Sequence, residues 1–343
     1  MTDRKWYEET GTQNDIAIST RVRLARNLEE YPFPEYLTAA QQKELNEIVK
    51  MAAIGGDNPF GFKYIDMEKT GQVQAISMAE QRITSPEFSL GRAGRGVLLT
   101  SDNSVSVMLG EEDHIRIQVM KSGFELEEAY RIADEVDDLL GENLRFAFSG
   151  ELGYLTQCPT NLGTGMRASV LLHLPGLKAK GQINRLAATV SKLGLTIRGA
   201  YGEGSEPKGD FYQLSNQVTL GISEENAIQN LKAITVQIIN QERTAQRELM
   251  ENERFEDNIW RAYGILTNTR TIDSEEFMSL ISLVMIGVSQ GIFSVNSDRI
   301  NKLIMEVQPA TLAIFDENAK YAGERDRLRA KIVRATLKGD TEE

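Results

Sequence analysis

Up to about Gly221 the apolar positions come in short runs; beyond it they recur at helical spacing. Val97 to Leu99, Val105 to Leu109, Ile115 to Met120, Arg145 to Phe148, Val170 to Leu174 and Phe211 to Leu214 read as strands. Ile115-Arg-Ile-Gln-Val alternates apolar and polar residues, the pattern of a strand with one buried face. Three helices interrupt these runs: one after Thr38, one over Leu126 to Leu140 ending at Gly141, and one over Gln182 to Leu193 ending at Gly194. Both glycines stand where a left-handed C-terminal cap is expected.

The remainder reads as helix. Ser223-Glu-Glu-Asn opens a pattern carrying Ala227, Ile228, Leu231, Ile234, Ile238 and Leu249. Asp273 with Glu276 looks like a capping pair ahead of Phe277, Leu280, Ile281 and Val284. Ser297 is expected to cap a further helix, and Asp316 to Leu337 reads as the last one. The change of regime puts a boundary near 222 to 226, between an α+β domain over 1–223 and an all-helical domain over 224–343. The length of 343 residues, at roughly 150 per domain, also predicts two domains.

Composition then removes whole classes. The chain is 41% hydrophobic and 26% charged, an ordinary globular mixture. Its 38 basic against 50 acidic residues leave a formal charge of −12, which argues against broad binding to nucleic acid or anionic membrane. The longest apolar stretch, Met278 to Val288, is broken by Ser279, Ser282 and Gly287, and falls short of the roughly 20 residues of a membrane span. With no apolar signal core at the N-terminus, a cytoplasmic protein is expected. Cys158 is the sole cysteine, which excludes an internal disulfide and a multi-cysteine zinc site; two histidines exclude a His-rich metal centre.

Two motif matches fail in context. Gly287-Val-Ser-Gln-Gly291 resembles a hydrolase nucleophile elbow, but both His114 and His173 precede it and its setting is helical, so it reads as a packing face. Gly163-Thr-Gly165-Met-Arg-Ala168 loosely matches a dinucleotide fingerprint, yet it leads into a strand-like run rather than a helix. A glycine loop whose amides approach an anion remains open. No Gly-Lys-Ser/Thr triplet of a P-loop occurs.

What remains is a set of arginines and carboxylates. Arg21 and Arg23 share one face of any strand that holds them. Arg116 follows Glu111-Glu112-Asp113-His114, Arg167 follows the glycine loop, and Arg198 precedes Gly199-Ala-Tyr-Gly-Glu203. A single arginine is usually a solvated surface group. Several in strands and beside glycine loops suit multidentate phosphate binding, because the planar fork delivers paired hydrogen bonds.

Ser19-Thr-Arg-Val-Arg23, Glu111-Glu-Asp-His-Ile-Arg116, Cys158-Pro-Thr-Asn-Leu-Gly-Thr-Gly-Met-Arg167, Arg198-Gly-Ala-Tyr-Gly-Glu203 and Asp210-Phe-Tyr-Gln-Leu-Ser-Asn216 together resemble the guanidino (phosphagen) kinases over residues 19–221. The resemblance implies an α+β catalytic domain, a mainly antiparallel sheet flanked by helices. Phosphagen kinases carry a helical domain ahead of the first motif; here that motif begins at residue 19 and a helical block follows 223. This order is similar to the bacterial protein arginine kinases, which phosphorylate arginine side chains of proteins. Arg325-Asp-Arg-Leu-Arg-Ala330 matches a motif of that branch, implying allosteric phosphoarginine binding by Arg325, Asp326, Arg329 and Ala330. A basic solvated helix face is the alternative reading.

For the site, the resemblance implies that ATP is held by Ser19, Thr20, Arg21, Val22, Arg23, Arg82, Arg116, Arg167, Ala168, Ser169, Val170, Leu171, Arg198, Gly199, Ala200, Tyr201 and Gly202. Glu112 and Glu203 would flank the acceptor guanidinium, either one serving as base, with Cys158 beside it as a thiolate. Mg²⁺ would ride on ATP oxygens and water, with no protein ligand. Arg82 stands where the family usually has a histidine near the adenine, and Leu109-Gly110 where it more often has Asn. Implied partners are proteins with accessible arginines, a zinc-binding activator, a stress-gene repressor, a Clp unfoldase-protease and a second copy of the chain. Two other readings stay open: a kinase of a free small guanidino compound, and a non-catalytic phosphoarginine-binding adaptor.

Overall fold

The structure is a computed structural model that describes residues 4–200 and 208–339. The first half runs β1 (Ala17–Arg26), α1 (Ala39–Ile54), β2 (Lys63–Asp66), α2 (Gln72–Glu80), α3 (Pro86–Leu90), β3 (Gly96–Leu99), β4 (Val105–Leu109), β5 (Ile115–Ser122) and α4 (Leu126–Gly141). Next come β6 (Phe148–Ser149), β7 (Gly153–Tyr154), β8 (Met166–His173), α5 (Pro175–Ala179), α6 (Ile183–Ser191), β9 (Leu195–Gly199) and β10 (Phe211–Asn216). Helices finish the chain: α7 (Glu224–Met250), α8 (Glu253–Asn268), α9 (Ser274–Ser289), α10 (Ser297–Glu306), α11 (Pro309–Phe315) and α12 (Ala322–Lys338). Among the described residues no helix is long and apolar enough to cross a membrane.

Eight strands form one sheet in the order β2-β3-β4-β5-β1-β8-β10-β9, every neighbouring pair antiparallel. Strand alternation divides its two faces. Val22 and Leu24 of β1, Ile117 and Val119 of β5, and Ala168, Val170 and Leu172 of β8 are buried in one core, against α4 and α7. Arg21 and Arg23 therefore point out of the opposite face.

The cores do not divide where the sequence changes character. Although α7 follows the last strand, its Ala227, Ile228, Leu231, Ile238 and Ile239 lie in the sheet's own core. A second core, built from α8, α9, α10, α11 and α12, reaches the sheet through Ile18, Leu171 and Phe211. The division of cores thus falls after Met250 rather than at 223, because a helix's periodicity does not say which layer its apolar stripe will cover.

Side-chain capping explains half of the helix starts. Thr38 accepts from Gln41 N, with Gln41 reaching back, and Ser223 and Asp273 cap α7 and α9 as expected. Gly194 takes a left-handed φ of 73°, but Gly141 remains inside α4, which ends on right-handed Glu142. Asn296, not Ser297, caps α10, its side chain accepting from Asp298 N. The final helix starts later than the expected Asp316: that residue is the C-cap of α11, and α12 begins at Ala322. Of the strand expected over 145–148, only an isolated bridge at Phe146 and the two-residue β6 form. Gly287 is a packing residue: a Cβ there would lie 2.4 Å from the Phe293 ring.

Candidate active site

Register brings the arginines together. Arg23 of β1 stands opposite Gln118 of β5 and Arg167 of β8, while Arg21 pairs with Ser169 and Arg116 with Ala25. Gln213 of β10 lies between Leu171 and Arg198 of β9, which extends the same face to the sheet edge. A cavity of about 550 Å³ opens over Arg21, Arg23, Arg82, Arg116 and Gln118, with Ile76, Ala79 and Met108 supplying apolar wall. It shares Arg21, Arg23 and Gln213 with a second cavity of about 340 Å³, lined by Arg167, Thr196, Arg198 and Ser215.

These guanidinium groups are an unfinished arrangement. Nε of Arg21 and of Arg23 are both buried with no hydrogen-bond partner. Burial, then the neighbouring Arg23, Arg82, Arg116 and Arg167 charges, push Arg21 well below the usual arginine range. Burial with Arg116 and Arg167 pushes Arg23 down to about 9. Burial and Arg198 lower Arg167 as well. Arginine scarcely gives up its proton in proteins, so such a field is relieved by an anion. Buried N–H donors without acceptors, repeated along one cleft, fit a polyphosphate.

The acidic loop after β4 separates two adjacent glutamates. Glu111 is buried, ion-paired with Arg116 and hydrogen-bonded by Ser85 Oγ. Glu112 is 41% exposed and meets the Arg116 guanidinium only at 3.3 Å. Asp113 and His114 lock the loop from beneath. Asp113 accepts from Asn27 Nδ2 (2.7 Å) and Gln157 N (2.8 Å), and burial raises its carboxyl above the usual range. His114 Nδ1 accepts from Leu28 N (3.0 Å), so its Nε2–H donates to Pro32 O (2.8 Å); burial lowers it, keeping it neutral.

The Asp113–Gln157 hydrogen bond joins the acidic loop to the residue before Cys158. Cys158 is half-buried, with Sγ 3.0 Å from Thr160 Oγ1. Arg167 feels the charges of Arg198, Cys158, Arg116 and Glu112, which puts these groups at one end of the cleft. The chain leaves β9 through Gly199 and Ala200, directly after Arg198, and the described residues resume at Lys208. Tyr201, Gly202 and Glu203 lie outside the described residues.

Not every expected residue reaches the cleft. Arg21, Arg23, Arg82, Arg116, Arg167, Arg198, Gly199 and Ala200 line it. Ser169 lies beneath Gln213, accepting from its Nε2 at 2.7 Å. Alternation turns Val22, Ala168 and Val170 into the back core. Thr20 is also turned away, its Oγ1 donating to Gly123 O at 2.7 Å. Ser19 and Leu171 pair on the front face, but both are buried, and Leu171 packs in the helical core. The glycine loop does not offer its amides to an anion: Gly163, Thr164 and Gly165 donate to Tyr154, Thr219 and Asn161 carbonyls. On α12, Arg329 is buried, donating to Val307 O (3.0 Å), Ile272 O (2.8 Å) and Asp326 Oδ1 (2.6 Å), and Ala330 lies in the core. Those two residues build the helical domain; half-buried Arg325 donates to Lys320 O.

Gln118, Gln213, Asn27 and Asp113 belong to the site without having been expected there. Gln118 was within reach, two residues from Arg116 on the same strand face. The others depend on which strands become neighbours.

Comparison with known proteins agrees with this geometry. Residues 44–245 match the family model described as ATP:guanido phosphotransferase, C-terminal catalytic domain. Residues 252–343 match the protein-arginine kinase McsB C-terminal domain. The chain is 41% identical to the protein-arginine kinase of Caldanaerobacter subterraneus subsp. tengcongensis, covering 94% of this chain and 97% of that one. It is 42% identical to that of Symbiobacterium thermophilum, over 98% and 97%. Among solved structures it resembles the duplicated taurocyamine kinase of Schistosoma mansoni with bound transition state analog components (TM-score 0.60, 28% identity, 68% of this chain and 34% of that one). Lombricine kinase shares the fold (TM-score 0.60, 24% identity, 68% of each chain). The chain belongs to the ATP:guanido phosphotransferase family. Within it, the enzyme is a protein-arginine kinase type phosphotransferase, acting with ATP on the guanidino group of arginine.

Proposed function

We propose that the acceptors are arginine side chains of proteins and that the cleft on the front of the sheet performs the transfer. The observation that carries this reading is the pair of buried, unpartnered Nε–H donors on Arg21 and Arg23, set beside the one accessible acid of the loop, Glu112. The triphosphate lies along Arg21, Arg23, Arg116, Arg167 and Arg198. Phosphoryl transfer is mostly alignment and charge neutralisation, so these forks do what a P-loop lysine does elsewhere.

The acceptor is a guanidinium with a pKa above about 12, and its nitrogen lone pair is tied up in the cation. Glu112 aligns it and takes a proton as the N–P bond forms and the bond from phosphorus to the ADP oxygen breaks. Glu111 cannot take this role, because it is buried and paired with Arg116. Glu203 is assigned the opposite flank, and Cys158 the edge between them. Mg²⁺ arrives on the nucleotide and neutralises its phosphate oxygens. Arg325 and Asp326 are the part of the α12 motif left to meet phosphoarginine. The proposal extends to a cytoplasmic setting in which phosphorylated proteins pass to a Clp-type protease under stress. A zinc-binding activator, a repressor substrate and a second copy of the chain complete that proposal.

The test is mass spectrometry of a loosely folded protein after reaction with MgATP under non-acidic conditions. Phosphoarginine on the protein is expected, with free arginine a poor competitor. Fast phosphorylation of free arginine and none of protein would overturn the acceptor assignment.

A further inference from the structure

Among the described residues, the helical domain reaches the nucleotide cavity at one place. Gln308, between α10 and α11, lines the wider cavity together with Ile76, Ala79, Glu80 and Arg82. It is absent from the narrower cavity that holds Arg167 and Arg198. The apolar wall and Gln308 thus lie at the end suited to a base, and the arginine pair at the end suited to phosphates.

Gln308 is held there from two sides. It stands in the capping position of α11 but gives that helix no side-chain hydrogen bond. The carboxylate of Glu80, from α2, does so instead, accepting from Ala310 N (2.9 Å), Thr311 N (2.8 Å) and Thr311 Oγ1 (2.8 Å). Ser77 Oγ adds a contact to Thr311 Oγ1 at 3.1 Å. On the other side, Arg329 Nε donates to the carbonyl of Val307. Residues 307–311 are therefore clamped between the catalytic domain and α12. Gln308 Nε2 donates to Ile304 O at 2.7 Å, which orients the amide and leaves its oxygen and second N–H available.

We propose that Gln308 recognises the nucleotide base and that Glu80 is a positioning residue acting through it. A carboxamide offers one donor and one acceptor, the complement of an adenine edge with its amino group and ring nitrogen. Guanine presents a carbonyl where adenine has the amino group, so the same amide disfavours it. The proposal rests on the reading of this cleft as the ATP site.

The test measures equilibrium binding of ATP and GTP to the full chain and to Gln308→Ala, Glu80→Gln and the double variant, without any acceptor. Gln308→Ala should weaken ATP binding about tenfold and leave GTP nearly unchanged, the size expected for one well-made pair of hydrogen bonds. Glu80→Gln should shift the ATP-to-GTP ratio in the same direction, and the double variant should be no worse than Gln308→Ala alone. A purely structural Glu80 would lower thermal stability without moving that ratio. Retention of the wild-type ratio in Gln308→Ala overturns the proposal and leaves the phosphate site standing. Failure of the wild-type chain to bind either nucleotide overturns both.

Discussion

Oε2 of Glu112 stands 3.3 Å from Nη2 of Arg116, while the preceding Glu111 holds the same guanidinium from inside the protein. One arginine thus ties a buried acid and an accessible one to the floor of the cleft. Neighbouring residues of identical chemistry acquire different roles, because only Glu111 has its side chain enclosed and closely ion-paired.

Glu111→Gln removes the buried partner of Arg116 while leaving Glu112 in place. Breaking a buried pair from one side should lower unfolding stability by about 3 kcal/mol. A denaturant titration checks this; an unchanged midpoint would show that Arg116 is neutralised elsewhere.

Arg23 is held charged against burial and its cationic neighbours. With a folded-state value near 9, below the usual arginine range, it stays charged at neutral pH, but carrying that charge costs the nucleotide-free fold stability. Arg23→Leu should leave the melting temperature without nucleotide unchanged or higher, abolish most of the rise that ATP produces, and lower turnover about 10²-fold. Loss of stability without nucleotide would mean that the arginine is structural.

His173 provides a pH signature. Its Nε2 lies 2.8 Å from Ser282 Oγ, which donates to Asp210 Oδ2 at 3.0 Å, so the ring is neutral with its proton on Nε2. Burial pushes it down to about 4, opposed by Asp210. The unfolded chain takes up this proton near pH 6.5 and the folded one only near pH 4, so stability is full above about 6.5 and declines as pH falls towards 4. The decline attributable to this group is at most about 3 kcal/mol. Unfolding free energies at pH 7 and pH 5 should differ less in His173→Gln than in the wild type.

Arg329 supports the helical domain from within. Arg329→Met leaves the Val307 and Ile272 carbonyls without this donor and Asp326 without its partner. A loss of about 3 kcal/mol is expected in urea unfolding. Unaltered stability would return Arg329 to a role in ligand binding alone.

Five of the sheet's eight strands were legible. Alternation separates Arg21 and Arg23 from Val22 and Leu24 once their segment is a strand, but β1 and β2 were not among the expected strands. Nor was the edge strand β9, since Leu195-Thr-Ile-Arg-Gly carries only two apolar residues and gains its place from β10. The membership of α7 in the sheet's core, and the interior position of Arg329 in a basic-looking helix, depend on long-range packing that local pattern does not encode. The bond from Glu80 to Thr311 spans 231 residues and leaves no local trace. The second glutamate, Glu203, was named from motif order alone.

The central claim is that the arginine cleft binds the nucleotide while Glu112 serves only the transfer. It is tested most directly by measuring ATP affinity and single-turnover phosphorylation side by side in Glu112→Gln. ATP should bind within about twofold of wild type, and transfer should slow by at least about 10²-fold. Undiminished transfer, or ATP binding lost together with it, would contradict the account.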